Sequence, residues 1–318
     1  MKYWYLVVVI FFFSCKNEKG KTPVSELDTN TAQLSLYVLG TVQDAGSPHV
    51  GCKRDCCAQL FENPDEQRKI VSLGLVDPIN KKSYLFEATP DIASQMKSLK
   101  GFAGKASETP NGIFLTHAHI GHYTGLMYLG REALNADQVP VYAMPKMRHF
   151  LENNGPWNQL VDLKNISFRE MLNEQHVKLS SQITVVPFIV PHRDEYSETV
   201  GYKIIGPNKS VLFIPDIDKW SKWEKSIIEE VGKVDHAFLD ASFFDGDEIN
   251  NRDISEIPHP FVIESLELFD TMPLSERAKI HFIHFNHTNP LLIKNSEAYQ
   301  VVIEKGFKIA SFHQKIDL

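Results

Sequence analysis

Residues 116–122 read Thr-His-Ala-His-Ile-Gly-His, which sets three imidazoles at i, i+2 and i+5 directly after the short apolar run Ile113-Phe114-Leu115. Neutral imidazole is a good ligand for zinc or iron. A loop leaving the end of a strand lets side chains at this spacing converge on one cation. Three further hydrophobic runs end in a residue of ligand type: Val190-Pro191-His192, Phe213-Ile214-Pro215-Asp216 and Phe282-Ile283-His284. Together they describe ligands delivered by loops to one edge of a sheet. A cation with three imidazoles and one open position lowers the pKa of bound water to ~7, and the hydroxide attacks a carbonyl or a phosphorus. Asp216 is placed to bridge two ions or to orient the nucleophile of one. His287, three residues past His284, is a candidate proton donor to the leaving group or, equally, a support for His284.

Other polar residues read as supporting or peripheral. Glu87 and Asp91 fit a helix start or a hydrogen bond to a ligand, and Asp240 ends the run Ala237-Phe238-Leu239 at the same edge. Asp194 and Glu195 read as loop surface, while Gln43 and Asp44 lie in the first loop and line the pocket. His149, His176, His236, His259 and His313 are lone histidines, for which a core or surface position is the default. His281 is left unassigned. No serine or cysteine nucleophile arrangement competes with the histidine set.

A second constellation packs His49, Cys52, Cys56 and Cys57 into nine residues. Three thiolates and one imidazole make a closed tetrahedral zinc site. His49 is the nearest imidazole, and which one is fourth stays open. One disulfide from Cys52 to Cys56 or Cys57, or free thiols, are the alternatives.

The elements that must hold these residues alternate between strands and helices. Strands are expected at Leu34–Leu39, Ile113–Leu115, Ile183–Val186, Val200–Ile205, Val211–Ile214, Ala237–Leu239 and Ile280–His284. The runs Lys69–Val76 and Ser83–Glu87 flank the turn Asp77-Pro78-Ile79-Asn80 and read as a hairpin. Helices are expected from Pro90 to Leu99, Lys146 to Asn153, Lys222 to Val231, Phe261 to Phe269 and Ser296 to Glu304. The segment Asp245 to Pro260 reads as a loop over the site. Strand pairs with interspersed helices imply two packed sheets with helices outside.

The N-terminus carries a different signal. Lys2 precedes an apolar run from Tyr3 to Phe13, 11 residues long, against the ~20 needed to span a bilayer as a helix. It fits a signal peptide over 1–14, ending at Ser14-Cys15 in a pattern like a bacterial lipobox. Cys15 is then the lipidation site, residues 15–32 a polar flexible tether, and 33–318 a single domain. The expected location is the bacterial cell envelope, with the chain anchored to a membrane by lipid. An ordinary export signal or a short uncleaved anchor is the alternative.

Composition is that of an ordinary globular chain. Of 318 residues, 43% are hydrophobic and 23% charged, which excludes a disordered or coiled-coil chain. Net charge is −7 with no basic block, so nucleic acid is not an expected partner. Four cysteines are too few for a disulfide scaffold.

With these residues in view, the chain resembles the metallo-β-lactamase-fold superfamily. Its hallmark is His-x-His-x-Asp-His, then a later His, a bridging Asp and a final His. The resemblance implies an α+β fold, an αββα four-layer sandwich. It assigns His117, His119 and His192 to a first metal site, and His122, Asp216 and His284 to a second, with Asp216 bridging. Gly121 stands where the superfamily has the second-site Asp, so a weaker or differently filled second site is expected.

Within the superfamily, Leu39 to Gly46, the cysteine segment, Ala88-Thr89-Pro90-Asp91 and Asn286 to Pro290 resemble the pyrroloquinoline-quinone biosynthesis protein B branch. The similarity runs from about Leu34 to the C-terminus. That branch carries a structural zinc on its cysteine cluster, often lacks the first two motif histidines and is normally soluble. His117 and His119 are present here and the N-terminus reads as exported, which implies a divergent paralogue. The resemblance implies a metallo-hydrolase acting on a small molecule with an ester, phosphodiester or related bond. One or two zinc ions, or iron, sit at the active site. The alternatives are an Fe(II)-dependent oxygenase-type enzyme and a non-catalytic metal- or small-molecule-binding lipoprotein. Oligomeric state is not implied.

Overall fold

The computed structural model describes Met1 and residues 33–104, 107–249 and 253–318. The expected signal peptide, Cys15 and the tether lie outside the described residues. Gln33–Leu318 forms one compact unit. No described helix is long and apolar enough to cross a membrane.

The first sheet takes β1 (Ser35–Gly40), β2 (Ser72–Asp77), β3 (Lys82–Phe86), β4 (Gly112–Phe114), β5 (Val139–Ala143) and β6 (Ile166–Glu170) in chain order. The second takes β7 (Val177–Lys178), β8 (Thr184–Ile189), β9 (Val200–Ile205), β10 (Ser210–Ile214), β11 (His236–Asp240), β12 (Ile280–Ile283) and β13 (Lys308–Ile309). β14 (Lys315–Asp317) returns to pair antiparallel with β1.

Alternation along the strands builds the layers. In β1, Leu36 and Val38 enter the core between the sheets, while Tyr37 and Leu39 face the helices outside the first sheet. In β10, Val211 and Phe213 face the inter-sheet core, and Leu212 and Ile214 face the helices on the other side. Both faces of each sheet are covered, so the strands are near-continuous apolar runs. Helix α2 (Ile92–Ala103) packs on the first sheet through Ile92, Leu99 and Ala103, and α4 (Pro145–Asn153) through Met147 and Leu151. On the second sheet lie α6 (Ile227–Gly232), α7 (Val262–Leu268) and α9 (Glu297–Glu304). The result is the αββα sandwich expected from the sequence.

The hairpin at 72–86 forms as expected, with antiparallel register Leu75↔Tyr84. Strands β5 and β6 were not expected. Pro140 interrupts the β signature of one, and Arg169-Glu170 ends the other in exposed charge. Helix α1 (Asp55–Glu62) was also unexpected, inside the cysteine segment.

Strand direction collects the site. β1 and β3 both run antiparallel to β2, and β4 runs parallel to β3. β8 and β10 both run antiparallel to β9, and β11 and β12 run parallel to β10. The C-terminal ends of β1, β3 and β4 therefore share one edge of their sheet, and those of β8, β10, β11 and β12 share one edge of theirs. A parallel bridge between Val42 and Phe285 ties the end of β1 to the end of β12.

Candidate metal centre

Each candidate ligand leaves one of these strand ends. His117 and His119 lie on the loop after β4, whose backbone is held by Ala118 N–H donating to Ser197 Oγ at 2.8 Å. His122 sits in the one-turn helix α3 (Ile120–Tyr123), with His119 at its N-cap. His192 follows β8, Asp216 follows β10, Asp240 ends β11 and His284 follows β12.

Asp216 is the hub. Its Oδ2 lies 3.3 Å from His117 Nε2 and 3.2 Å from His192 Nε2. The same oxygen is 3.9 Å from both His119 Nδ1 and His122 Nε2. Three overlapping groups result: His117, His119, His192 and Asp216; Asp44, His122, Asp216 and His284; and Asp216, Asp240, His259 and His284. In each group the ligand atoms lie within 4.8 Å of one another.

A second layer of contacts sets the tautomers. Thr116 Oγ1 lies 2.8 Å from His117 Nδ1, Asp218 Oδ1 lies 3.2 Å from His192 Nδ1, and Ser242 Oγ lies 2.9 Å from His284 Nδ1. Glu87 Oε2 is 3.4 Å from His122 Nδ1. Carrying the proton on Nδ1 leaves each Nε2 lone pair facing inward. His119 is reversed, with Nδ1 inward and Nε2 3.8 Å from the exposed Glu195.

The electrostatics call for a cation. Among the described residues, Asp44, Glu87, Asp216 and Asp240 have no Lys or Arg within ion-pair distance; histidines are their charged partners. Burial penalises the Asp216 carboxylate, yet the His259 and His192 imidazoles hold its pKa well below the usual range. Burial likewise opposes charge on His259, but Asp240 and Asp216 raise it well above the ordinary value. Burial opposes charge on His284 too, and the Asp240 and Asp44 carboxylates bring it to about 9. His117 Nε2 and Asp216 Oδ1, both in the ligand groups, are buried without a hydrogen-bond partner. Imidazoles and carboxylates with such unmet demand fit divalent cations.

His259 is the residue that sequence reasoning missed. It was read as a lone histidine, and it comes from the 245–260 loop. Its Nδ1 lies 2.9 Å from Asp240 Oδ2 and 3.1 Å from Asp216 Oδ1. No spacing marks it, because its partners are brought to it by the fold. His119, His259 and Asp44 form the open side of the centre, with side chains 15%, 11% and 13% exposed.

His287 and His49 are corrected. His287 gathers with Cys52, Cys56 and Cys57 rather than with the active-site imidazoles. Its ring stacks on His49 at 4.5 Å, so His49 lies behind the fourth imidazole instead of supplying it. His49 Nδ1 accepts from Gly51 N–H at 3.1 Å, and its own N–H donates to Cys57 Sγ at 3.3 Å. A proton-donor role for His287 does not survive this placement.

The three thiols are free. Cys52 and Cys56 Sγ are 3.7 Å apart, and Cys56 and Cys57 Sγ 3.9 Å. Tetrahedral zinc with Zn–S near 2.3 Å places its sulfurs roughly 3.8 Å apart. Burial and the neighbouring thiols push Cys56 up to about 12, a cost that a cation removes. Two segments thus serve both clusters: the one from the end of β1 into α1 carries Asp44 and the cysteines, and the one after β12 carries His284 and His287.

Comparison with known proteins agrees with this geometry. The family described as "Beta-lactamase superfamily domain" matches residues 82–285. Coenzyme PQQ synthesis protein B of Methylococcus capsulatus is 25% identical over 306 residues, 87% of this chain and 97% of that protein. The protein of the same name from Methylorubrum extorquens strain PA1 is 22% identical, over 90% of this chain and 100% of that one. Among solved structures, Zn(2+)-bound PqqB from Methylobacterium extorquens superposes with a TM-score of 0.73 at 19% identity, over 89% of this chain and 100% of that one. A diphosphatase from the PhnP family gives 0.61 at 21% identity, over 90% and 97%. The chain belongs to the beta-lactamase superfamily domain family, with the metallo-β-lactamase fold, near coenzyme PQQ synthesis protein B.

Proposed function

We propose that this chain is a metal-dependent hydrolase acting on an ester, phosphodiester or related bond of a small molecule. The observation that carries the reading is Asp216, shared by three ligand groups, with His259 held against its far oxygen by Asp240. Divalent cations at such a centre polarise the bond under attack and lower the pKa of a water to ~7. His117, His119 and His192 are the donors for a first ion, and His122, Asp216 and His284 for a second. Zinc is the ion inferred for Cys52, Cys56, Cys57 and His287.

The protein's own part is orientation and proton supply. Thr116, Asp218, Glu87 and Ser242 fix the imidazoles. His259, at the open side with its Nδ1 held by Asp240 at 2.9 Å, would donate a proton to the leaving oxygen. Replacing His259 with Asn should lower kcat by roughly 10²-fold or more while the ion at His117, His119 and His192 is retained. Retained kcat would remove His259 from the mechanism. The primary test is a screen of phosphodiester, lactone and thioester substrates on protein of defined metal content. The curated relatives are named for coenzyme PQQ synthesis, which favours a second reading, oxygen chemistry on iron. Oxygen uptake by Fe(II)-loaded protein, with no hydrolysis in the screen, would select it.

The N-terminal reading becomes part of this proposal. A lipid on Cys15 would hold the enzyme at a membrane surface in the cell envelope. Cys15→Ala should move the protein from the membrane fraction to the soluble fraction, and continued membrane retention would end the lipoprotein reading.

A further inference from the structure

Position 121 has no room for a side chain. A Cβ there would lie 2.4 Å from Asp44 Cα and 2.8 Å from Asp44 Cβ. The first of these is a backbone atom, which a rotamer change does not move. The volume that a residue-121 side chain needs is therefore taken by Asp44.

Asp44 arrives with a carboxylate. Its Oδ1 lies 2.8 Å from His122 Nε2 and 3.2 Å from His284 Nε2. Both rings turn their Nδ1 to the opposite side, His122 toward Glu87 Oε2 at 3.4 Å and His284 toward Ser242 and Asp240. Two inward-facing nitrogens therefore meet one oxygen, and Asp216 Oδ2 completes the group 3.9 Å from His122 Nε2. Donors about 2.1 Å from a tetrahedral ion sit roughly 3.4 Å apart, close to these separations. A simple ion pair between Asp44 and His122 would account for one contact, but not for a second carboxylate and a second imidazole turned to the same point.

The loop bearing Asp44 is also pinned. Gln43 N–H donates to the Phe285 carbonyl at 2.8 Å, and Phe285 N–H donates to the Thr41 carbonyl at 2.8 Å. Asp44 and His284 are thus held in register by main-chain bonds next to each.

We propose that Asp44 is a ligand of the second ion, and that it supplies from the loop after β1 the carboxylate missing at Gly121. The proposal rests on the reading of the centre as a metal site. It changes the expectation drawn from Gly121 alone: the second site is carboxylate-bearing by another route.

The test is ion stoichiometry by mass spectrometry after loading with zinc and desalting, with cobalt spectra to separate thiolate-bound from imidazole-bound ions. The parent should hold one thiolate-bound ion and two at the imidazoles. Asp44→Ala and the isosteric Asp44→Asn should each lose one imidazole-bound ion, with affinity for it weakened at least about 100-fold. The first-site and thiolate-bound ions remain and report that the variant is folded. Gly121→Asp should gain no ion and should melt below the parent. Two imidazole-bound ions retained in a folded Asp44→Asn would overturn the proposal. A parent with no ion at the imidazoles would overturn the metal reading itself, a distinct result.

Discussion

Asp216→Asn is expected to lower kcat/KM by roughly 10³-fold or more and to strip ions from both imidazole groups. A thousandfold is about 4 kcal/mol of transition-state stabilisation. The size follows from position. One carboxylate oxygen faces four imidazoles and the other faces His259. An amide of the same shape keeps the packing but removes the charge, and its NH2 cannot accept from or ligate as a carboxylate does. His259 retains Asp240, so the loss should come from the ions and not from unfolding. Kinetics on the substrate found by screening, with ion content on the same sample, checks this. Unchanged ion content would show that Asp216 is a bystander.

The second large effect is expected at the cysteine cluster. Cys56→Ser should eject its ion and lower stability by about 3 kcal/mol or more, a fall in Tm of roughly 6–12 °C for a domain of this size. The substitution should also weaken the second active-site ion. Asp44 and the three cysteines lie on one stretch of chain, the segment after β1 that runs into α1, and His284 and His287 on the segment after β12. An ion that clamps the two segments at one end orders them at the other, and such coupling is reciprocal. Melting curves and ion counts on parent and variant read both effects. A Tm unchanged from the parent would reduce the cluster to a set of free thiols.

The sequence made visible those ligands that end an apolar run. His117, His119, His192, Asp216 and His284 each follow a short hydrophobic strand, and His122 sits within the same loop as the first two. Asp44 was legible only as a pocket-lining residue, and His259 and the true neighbours of His287 were not legible at all, because each is defined by packing between distant segments. Asp44 meets His122 across 78 residues, and His259 meets Asp240 across 19. The helix through Cys56 and Cys57 was hidden by reading that segment only as a ligand cluster. Most strands with continuous apolar runs were legible, β5 with its Pro140 and β6 with its charged end were not, and β7, β13 and β14, two or three residues long, carry too little pattern to detect.

Glu87 and His284 share a feature that sets the chemistry of this edge against its fold. Both end a strand in left-handed backbone, with φ of +78° and +70°, a conformation that costs of order 1–3 kcal/mol for a residue other than glycine. Glycine would relieve that strain at either position, and at either it would delete the side chain that the centre uses. Backbone relaxation and the proposed centre therefore make opposite demands on these two residues. Both side chains are fully buried, so glycine at 87 or 284 would exchange relieved strain for a cavity, and these two strand ends can be relaxed only by emptying the edge they build.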